Sequence, residues 1–224
     1  MRAPLSIVIP TLNAEAVLPG CLAALMDGVE AGLVRELVVS DGGSVDATRD
    51  IAQAAGAIWV EGPAGRGGQL RRGVAATSGG WLLVLHADTR LAPGWTSAVE
   101  AGMARGAPGY FCLRFAAPGL APRLVAGWAN LRARAVSMPF GDQGLLVSRA
   151  DYEAGGGYPD IPLMEDMALM RRLPRARPLD AVAETGAARY LARGWLRQGG
   201  ANLWRQARFL AGADPARLGR GYRD

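Results

Sequence analysis

Trp81-Leu82-Leu83-Val84-Leu85-His86-Ala87-Asp88-Thr89 is the stretch from which this chain is best read. The short apolar run from Trp81 to Leu85 reads as a buried strand. It stops at His86, the only histidine, and at Asp88 two residues on. Strands buried on both faces belong to parallel sheets covered by helices, and in such sheets ligands gather outside the carboxyl ends of the strands. His86 and Asp88 thus stand at the ligand edge as candidate metal ligands.

The chain on either side supports a sheet of that kind. Leu5 to Pro10 reads as a first strand, broken by Thr11-Leu12-Asn13. Ala16, Val17, Leu18, Leu22, Leu25 and Met26 recur near a 3.6-residue period, which predicts a helix closed by Gly28 and Gly32. Glu36 to Ser40 predicts a second strand ending at Asp41-Gly42-Gly43. Ser44 is a suitable N-cap for a helix through about Ala55, with Asp46 in its first turn. Ala57 to Val60 predicts a third strand. Residues 62–68 read as a glycine-rich loop, and Gln69 to Ala76 as a helix. This alternation over residues 1–90 argues for a parallel sheet with right-handed connections.

The remainder is less regular. Helices are expected over Pro93 to Arg105 and Leu120 to Val136, and strands over Tyr110 to Phe115 and Gly144 to Val147. Gly155-Gly156-Gly157 reads as a hinge, and Glu165-Asp166 opens a short helix running into Arg171-Arg172. The tail from about Arg193 is helical, with Trp195, Leu196, Leu203, Trp204, Phe209 and Leu210 among arginines. The expected organisation is one domain over residues 1–224, made of a regular βα half (1–90), a less regular half (91–192) and a helical tail (193–224).

Half of the 224 residues are hydrophobic, enough for a sizeable core. The formal net charge is +5, and every basic residue is arginine. That bias reflects either genome composition or phosphate recognition by arginine forks. Two cysteines exclude a disulfide framework and a paired-cysteine zinc signature. They fit a reducing, cytoplasmic compartment. No leader peptide or membrane-spanning run is expected.

The motifs resemble those of glycosyltransferase family 2. Ser6 to Asn13 is similar to the family's opening strand, and Val39 to Asp46 to its second acidic motif. His86-Ala87-Asp88 stands where the family carries a metal-binding DxD, and Glu165-Asp166 with Arg171-Arg172 resembles its late ED motif. Leu-His-Ala-Asp-Thr, Gly-Asp-Gln and Pro-Leu-Met-Glu-Asp together look most like a bacterial subgroup associated with radical-SAM and selenium-domain proteins. The resemblance implies an α/β GT-A (Rossmann-like) three-layer fold with a mostly parallel sheet. It also implies a nucleoside-diphosphate sugar donor, a divalent metal (Mn²⁺ or Mg²⁺) and inverting transfer.

Breaking a sugar–diphosphate bond develops negative charge on the leaving group, which a hard cation stabilises. Mg²⁺ and Mn²⁺ take one or two carboxylates plus substrate phosphates, so Asp88 suits the role. His86 is a ligand if the metal is Mn²⁺, or otherwise contacts the donor. Asp41 can accept from the imide N–H of a uracil-type base, and by resemblance Pro10, Thr11 and Asn13 line the same pocket. Ala87 lies beside the donor, and Glu15 either contacts it or stabilises its own helix. Arg66 is the better candidate for a phosphate cation in the glycine-rich loop. An inverting reaction needs a base on the face opposite the leaving group. By resemblance that base is Asp166, with Glu165 turned elsewhere because helix neighbours do not face the same way. Asp142 and Gln143 shape the acceptor side, and Arg189-Tyr190 is a further candidate on the diphosphate.

Two other classes compete. A nucleotidyltransferase would carry a basic glycine-rich loop directly after its first strand, where Thr11-Leu12-Asn13 stands instead. A non-catalytic sugar-nucleotide-binding or membrane-associated scaffold would not need Asp41, Asp88 and Asp166. No nucleic-acid partner is expected. The acceptor, whether small molecule, lipid or glycan, is not encoded in these motifs. The tail either packs on the body, forms a homodimer or lies on the inner face of a membrane.

Overall fold

The computed structural model describes residues 3–219. Met1-Arg2 and the last five residues of the tail lie outside the described residues. One eight-stranded sheet organises the chain: β1 (Leu5–Thr11), β2 (Val34–Asp41), β3 (Ile58–Glu61), β4 (Trp81–Val84), β5 (Thr89–Leu91), β6 (Gly109–Phe115), β7 (Leu145–Ser148) and β8 (Arg177–Thr185). Their spatial order is β3-β2-β1-β4-β7-β6-β8-β5. The first four strands in that order run parallel. β7 is antiparallel to both β4 and β6, β8 is parallel to β6, and β5 closes the far edge antiparallel to β8.

Helices fill both faces: α1 (Leu18–Ala24), α2 (Met26–Glu30), α3 (Thr48–Ala54), α4 (Arg66–Ala75), α5 (Trp95–Ala104), α6 (Leu120–Val136), α7 (Arg149–Ala154), α8 (Glu165–Met170), α9 (Ala188–Arg193), α10 (Trp195–Leu210) and α11 (Pro215–Gly219). The two-residue period of the strands divides the core. Ile7, Ile9, Leu83 and Leu85 face one layer with Leu18, Trp95 and Val99. Val8, Leu82 and Val84 face the other with Leu70, Val74, Tyr152 and Met170. Each such side chain contributes about 1.5–3 kcal/mol on burial, so truncating Leu83 to Ala would cost about 2–5 kcal/mol. Both cysteines are unpaired.

Several sequence expectations shift. The first helix is broken at Leu25 into α1 and α2, and Gly28 lies inside α2 rather than ending it. Its missing side chain seats the Trp95 ring, with which a methyl there would collide. Ser44 does not cap α3, which starts at Thr48, because Ser44 is spent on Asp41. The glycine-rich loop is shorter than expected, since Gly67 and Gly68 already lie in α4. Their bareness admits residues 159–161, whose backbone would collide with a Cβ at Gly67. β5, β8 and α7 have no counterpart in the sequence reading. For α7 a signal was present, since the Ser148 hydroxyl accepts from the Asp151 amide (3.0 Å) as an N-cap.

Candidate active site

The carboxyl ends of β1, β2 and β4 meet along one edge. Leu85 continues the β4 line by donating its amide to Val8 O (3.1 Å), and Gly42 donates to Thr11 O (2.9 Å). Outside this edge lies a cavity of about 560 Å³, a volume that suits a nucleotide-sized ligand. Its walls come from the loop after β1, the start of α4, residues 86–88 after β4, the Gly141–Gln143 turn, α8, the end of β8 and α10.

The floor under the first two strands is held by hydrogen bonds. The buried Asp41 carboxylate accepts from Thr11 Oγ1 (2.8 Å), Ser44 Oγ (2.6 Å) and the amides of Gly43 (2.7 Å) and Ser44 (2.6 Å). Burial alone would raise its pKa, yet bonds from Ser44, Thr11 and Gly43 hold it below the ordinary carboxylate range. Four bonds occupy its acceptor sites, and Asp41 is not among the cavity-lining residues. Asn13, at φ +50°, receives the Val45 amide on its Oδ1 (3.0 Å) and donates its own amide to Ser44 Oγ (2.7 Å). Glu15 accepts from the Ala47 amide (3.0 Å) and also stays out of the cavity. Asp46 accepts from the Glu15 amide (3.1 Å), tying the same two loops together. Pro10, Thr11 and Asn13 do line the cavity.

Gln69 joins both loops from below, and sequence reasoning missed it. Its Nε2 donates to Thr11 O (2.6 Å) and Ser40 O (3.1 Å), and its Oε1 accepts from the Gly65 amide (3.2 Å). The only advance sign was an amide side chain at the start of a helix otherwise flanked by glycine and arginine.

The charged centre brings together residues far apart in sequence. Arg66, first residue of α4, sits 3.6 Å from the buried Glu165 Oε1. Asp166 accepts the Gly141 amide on its Oδ2 (3.0 Å). The two neighbours therefore face different elements. Burial and mutual repulsion raise the Glu165 pKa, and burial raises that of Asp166 against the pull of Arg66. Asp142 is pushed up to about 6, mainly by burial. Its Oδ1 is buried without a hydrogen-bond partner, whereas Gln143 points away and donates to Asn130 Oδ1 (3.2 Å) and Phe111 O (3.4 Å). Gln143 does not line the cavity.

His86, Ala87 and Asp88 line the cavity as a continuous segment. Burial raises the Asp88 pKa, opposed by Arg66 and Arg189. Gly186 lets the end of β8 approach, since a Cβ there would lie 3.0 Å from Asp88 Oδ2. His86 Nε2 is buried against Gly141 with no hydrogen-bond partner. Burial, then Arg66 and Arg189, hold its pKa well below the usual value, so the ring is neutral. Among the described residues no three His, Cys, Asp or Glu side chains converge as a ready metal cage. The donor set fits a hard cation that arrives with a diphosphate and takes the Asp88 carboxylate, with most oxygens from the ligand. Arg189 and Tyr190 also line the wall. Gln198, Asn202, Arg205 and Gln206 of α10 also line it, though nothing in the local sequence marked them.

Residues 6–126 match glycosyl transferase family 2, and the chain belongs to that family. Glu165 and Asp166 lie beyond the matched segment. Among relatives, a PGL/p-HBAD biosynthesis glycosyltransferase of Mycobacterium tuberculosis is 41% identical over 99 residues, 41% of this chain and 38% of that protein. Glucosyl-3-phosphoglycerate synthase of the same organism is 39% identical over 93 residues, 38% of this chain and 28% of the relative. The chain thus spans well under half the length of either. A crystal structure of that synthase with Mn²⁺ and UDP-glucose is similar over 81% of this chain and 69% of its own, with a TM-score of 0.57 and 26% identity. Another, with Mn²⁺, UDP and phosphoglyceric acid, covers 89% and 76% with a TM-score of 0.58 at 25% identity. The α/β architecture is therefore the GT-A fold that the motifs implied.

Proposed function

We propose that the protein is an inverting glycosyltransferase that takes a sugar from a nucleoside diphosphate, UDP by preference. The observation that carries this reading is one cavity at the carboxyl edge of the parallel strands holding Asp88, Arg66 and Asp166 together. The synthase of similar fold was crystallised with UDP-glucose and Mn²⁺, and a family 2 chain with the same edge would take the same class of donor.

In this reading the loops after β1 and β2 receive the nucleoside. Asp41 acts through its hold on Thr11 and Ser44, which shapes the pocket floor, instead of touching the base itself. Arg66, at the start of α4, offers a cation and helix N–H groups to the phosphates. A divalent metal, Mn²⁺ or Mg²⁺, would be held by Asp88 and would neutralise charge on the departing diphosphate. His86 lines the same wall two residues before Asp88. Asp166 accepts the proton of the acceptor hydroxyl as that oxygen attacks the anomeric carbon and the bond to the diphosphate breaks. Its raised affinity for protons suits a base. Glu165 pairs with Arg66 and keeps that cation in place. Asp142 and the α10 amides Gln198 and Asn202 face the acceptor side.

The test is thermal stabilisation of purified protein by UDP-, GDP- and TDP-sugars with Mn²⁺. A UDP-sugar should raise the melting temperature in a metal-dependent manner. Silence across the whole panel would remove the donor-site reading.

A further inference from the structure

Helix α10 is amphipathic in an inverted sense. The face carrying Gln198, Asn202, Arg205 and Gln206 turns inward and lines the cavity. At 100° per residue, the opposite face carries Leu196, Leu203, Trp204 and Leu210. These are exposed, Leu196 at 88% and Trp204 at 66%. Arg197 and Arg208, both exposed, edge the same face. Helix α6, against which α10 packs, repeats the pattern. Its buried face is Pro122, Ala126, Ala129 and Ala133, all small. Its outer face is Leu120, Leu124, Trp128 and Leu131, all exposed. Large apolar residues outside and small or polar ones inside are the reverse of what a solvated helix presents.

The charge of these segments is one-sided. The sequence has no Asp or Glu between Glu100 and Asp142, nor between Glu184 and Asp214. Arg123, Arg193, Arg197 and Arg208 are exposed within them. A leucine and tryptophan face rimmed by arginine and free of carboxylates complements an apolar layer beneath anionic headgroups. No helix of the described residues is long and apolar enough to cross a membrane.

We infer that the outer faces of α10 and α6 seat the protein on an anionic lipid bilayer. The geometry stands apart from the proposed transfer reaction and does not depend on it. Because α10 is also the cavity wall, a bilayer against its outer face lies about 10 Å from the cavity, one helix diameter. An acceptor carried at a lipid surface would then be delivered beside the site.

The experiment is co-sedimentation of the full chain with vesicles of phosphatidylcholine alone and with added phosphatidylglycerol. The wild-type chain should bind the anionic vesicles about tenfold more tightly or better, and salt should release it. The triple variant Leu196→Gln, Leu203→Gln, Trp204→Gln should lose about tenfold in binding while its circular dichroism and UDP binding persist. Arg197→Gln with Arg208→Gln should mainly lose the preference for anionic lipid. Should the triple variant not fold, Leu124→Gln and Trp204→Gln singly carry the same test. A wild-type chain left in the supernatant with both vesicle types overturns the inference. So does a triple variant that pellets like wild type. A dimer in light scattering that the triple variant dissociates, without vesicle binding, would assign the surface to a second copy and overturn it as well.

Discussion

Replacing Asp142 by Asn should flatten the acid side of the stability profile. The side chain sits in the turn that faces Asp166, and its Oδ1 is buried without a partner. Burial is the main cause of its raised pKa; Arg132 opposes it, and Asp166 and Asp88 add to it. The group moves from its ordinary 3.8 to about 6. Between those values the folded chain keeps the proton that the unfolded chain has released. Stability therefore falls as pH rises from about 4 to about 6 and is level above that. The shift corresponds to at most about 3 kcal/mol. Asn cannot ionise, so the variant should match wild type near pH 4 and exceed it near pH 7 by up to that amount. Urea unfolding at both pH values and fixed ionic strength gives the double difference, which cancels the other buried carboxylates except for their coupling to this one. Equal losses in both proteins between pH 4 and pH 7 would refute the reasoning.

Four further outcomes are expected. Asp88→Asn should keep the fold but abolish the Mn²⁺-dependent part of stabilisation by UDP, read by calorimetric titration with and without metal. Gly141→Ala should cost about 1–3 kcal/mol of stability, because the methyl collides with His86 and lies 2.9 Å from Asp166 Oδ2; chemical denaturation measures it. Gln69→Leu should leave Thr11 O and Ser40 O without their donor, costing about 1–3 kcal/mol, and should speed amide exchange in the loops after β1 and β2. Asp166→Asn should retain the UDP-dependent thermal shift and lose transfer; turnover near wild type would exclude Asp166 as the base.

Much of the first half was legible because its signals are local. The largely apolar run at Leu5 to Pro10 and the continuous one at Trp81 follow from a strand's two faces both being covered. Helix α6 was readable to its ends from its amphipathic pattern. Asp88 could be placed at the ligand edge from strand polarity alone. The positions of Asp41 and Glu15 were not readable in the same way. Whether a carboxylate points at a ligand or at neighbouring amides depends on two loops meeting, and that meeting spans about thirty residues of sequence.

By itself, the sequence determined the parallel βα core, the edge at which chemistry would gather and the family to which the chain belongs. Only the tertiary structure decided which residues share the cavity. Arg66 meets Glu165 and Asp166 meets Gly141 because one sheet carries β4, β7, β6 and β8 in that order, so the segments leading to and from these strands gather at one place. Strands β5 and β8 are too weakly patterned to announce themselves, and their pairing places Thr185 and Gly186 against Asp88. The tail's period marked a helix, but a period does not say which face looks inward. Packing decided that: the ring contacts of Trp195 with Phe115 (5.1 Å) and Tyr190 (4.8 Å) anchor the start of α10 and leave its amides facing the cavity and its leucines facing out. Local propensity sets what an element is; the side-chain contacts it finds far along the chain set what it does.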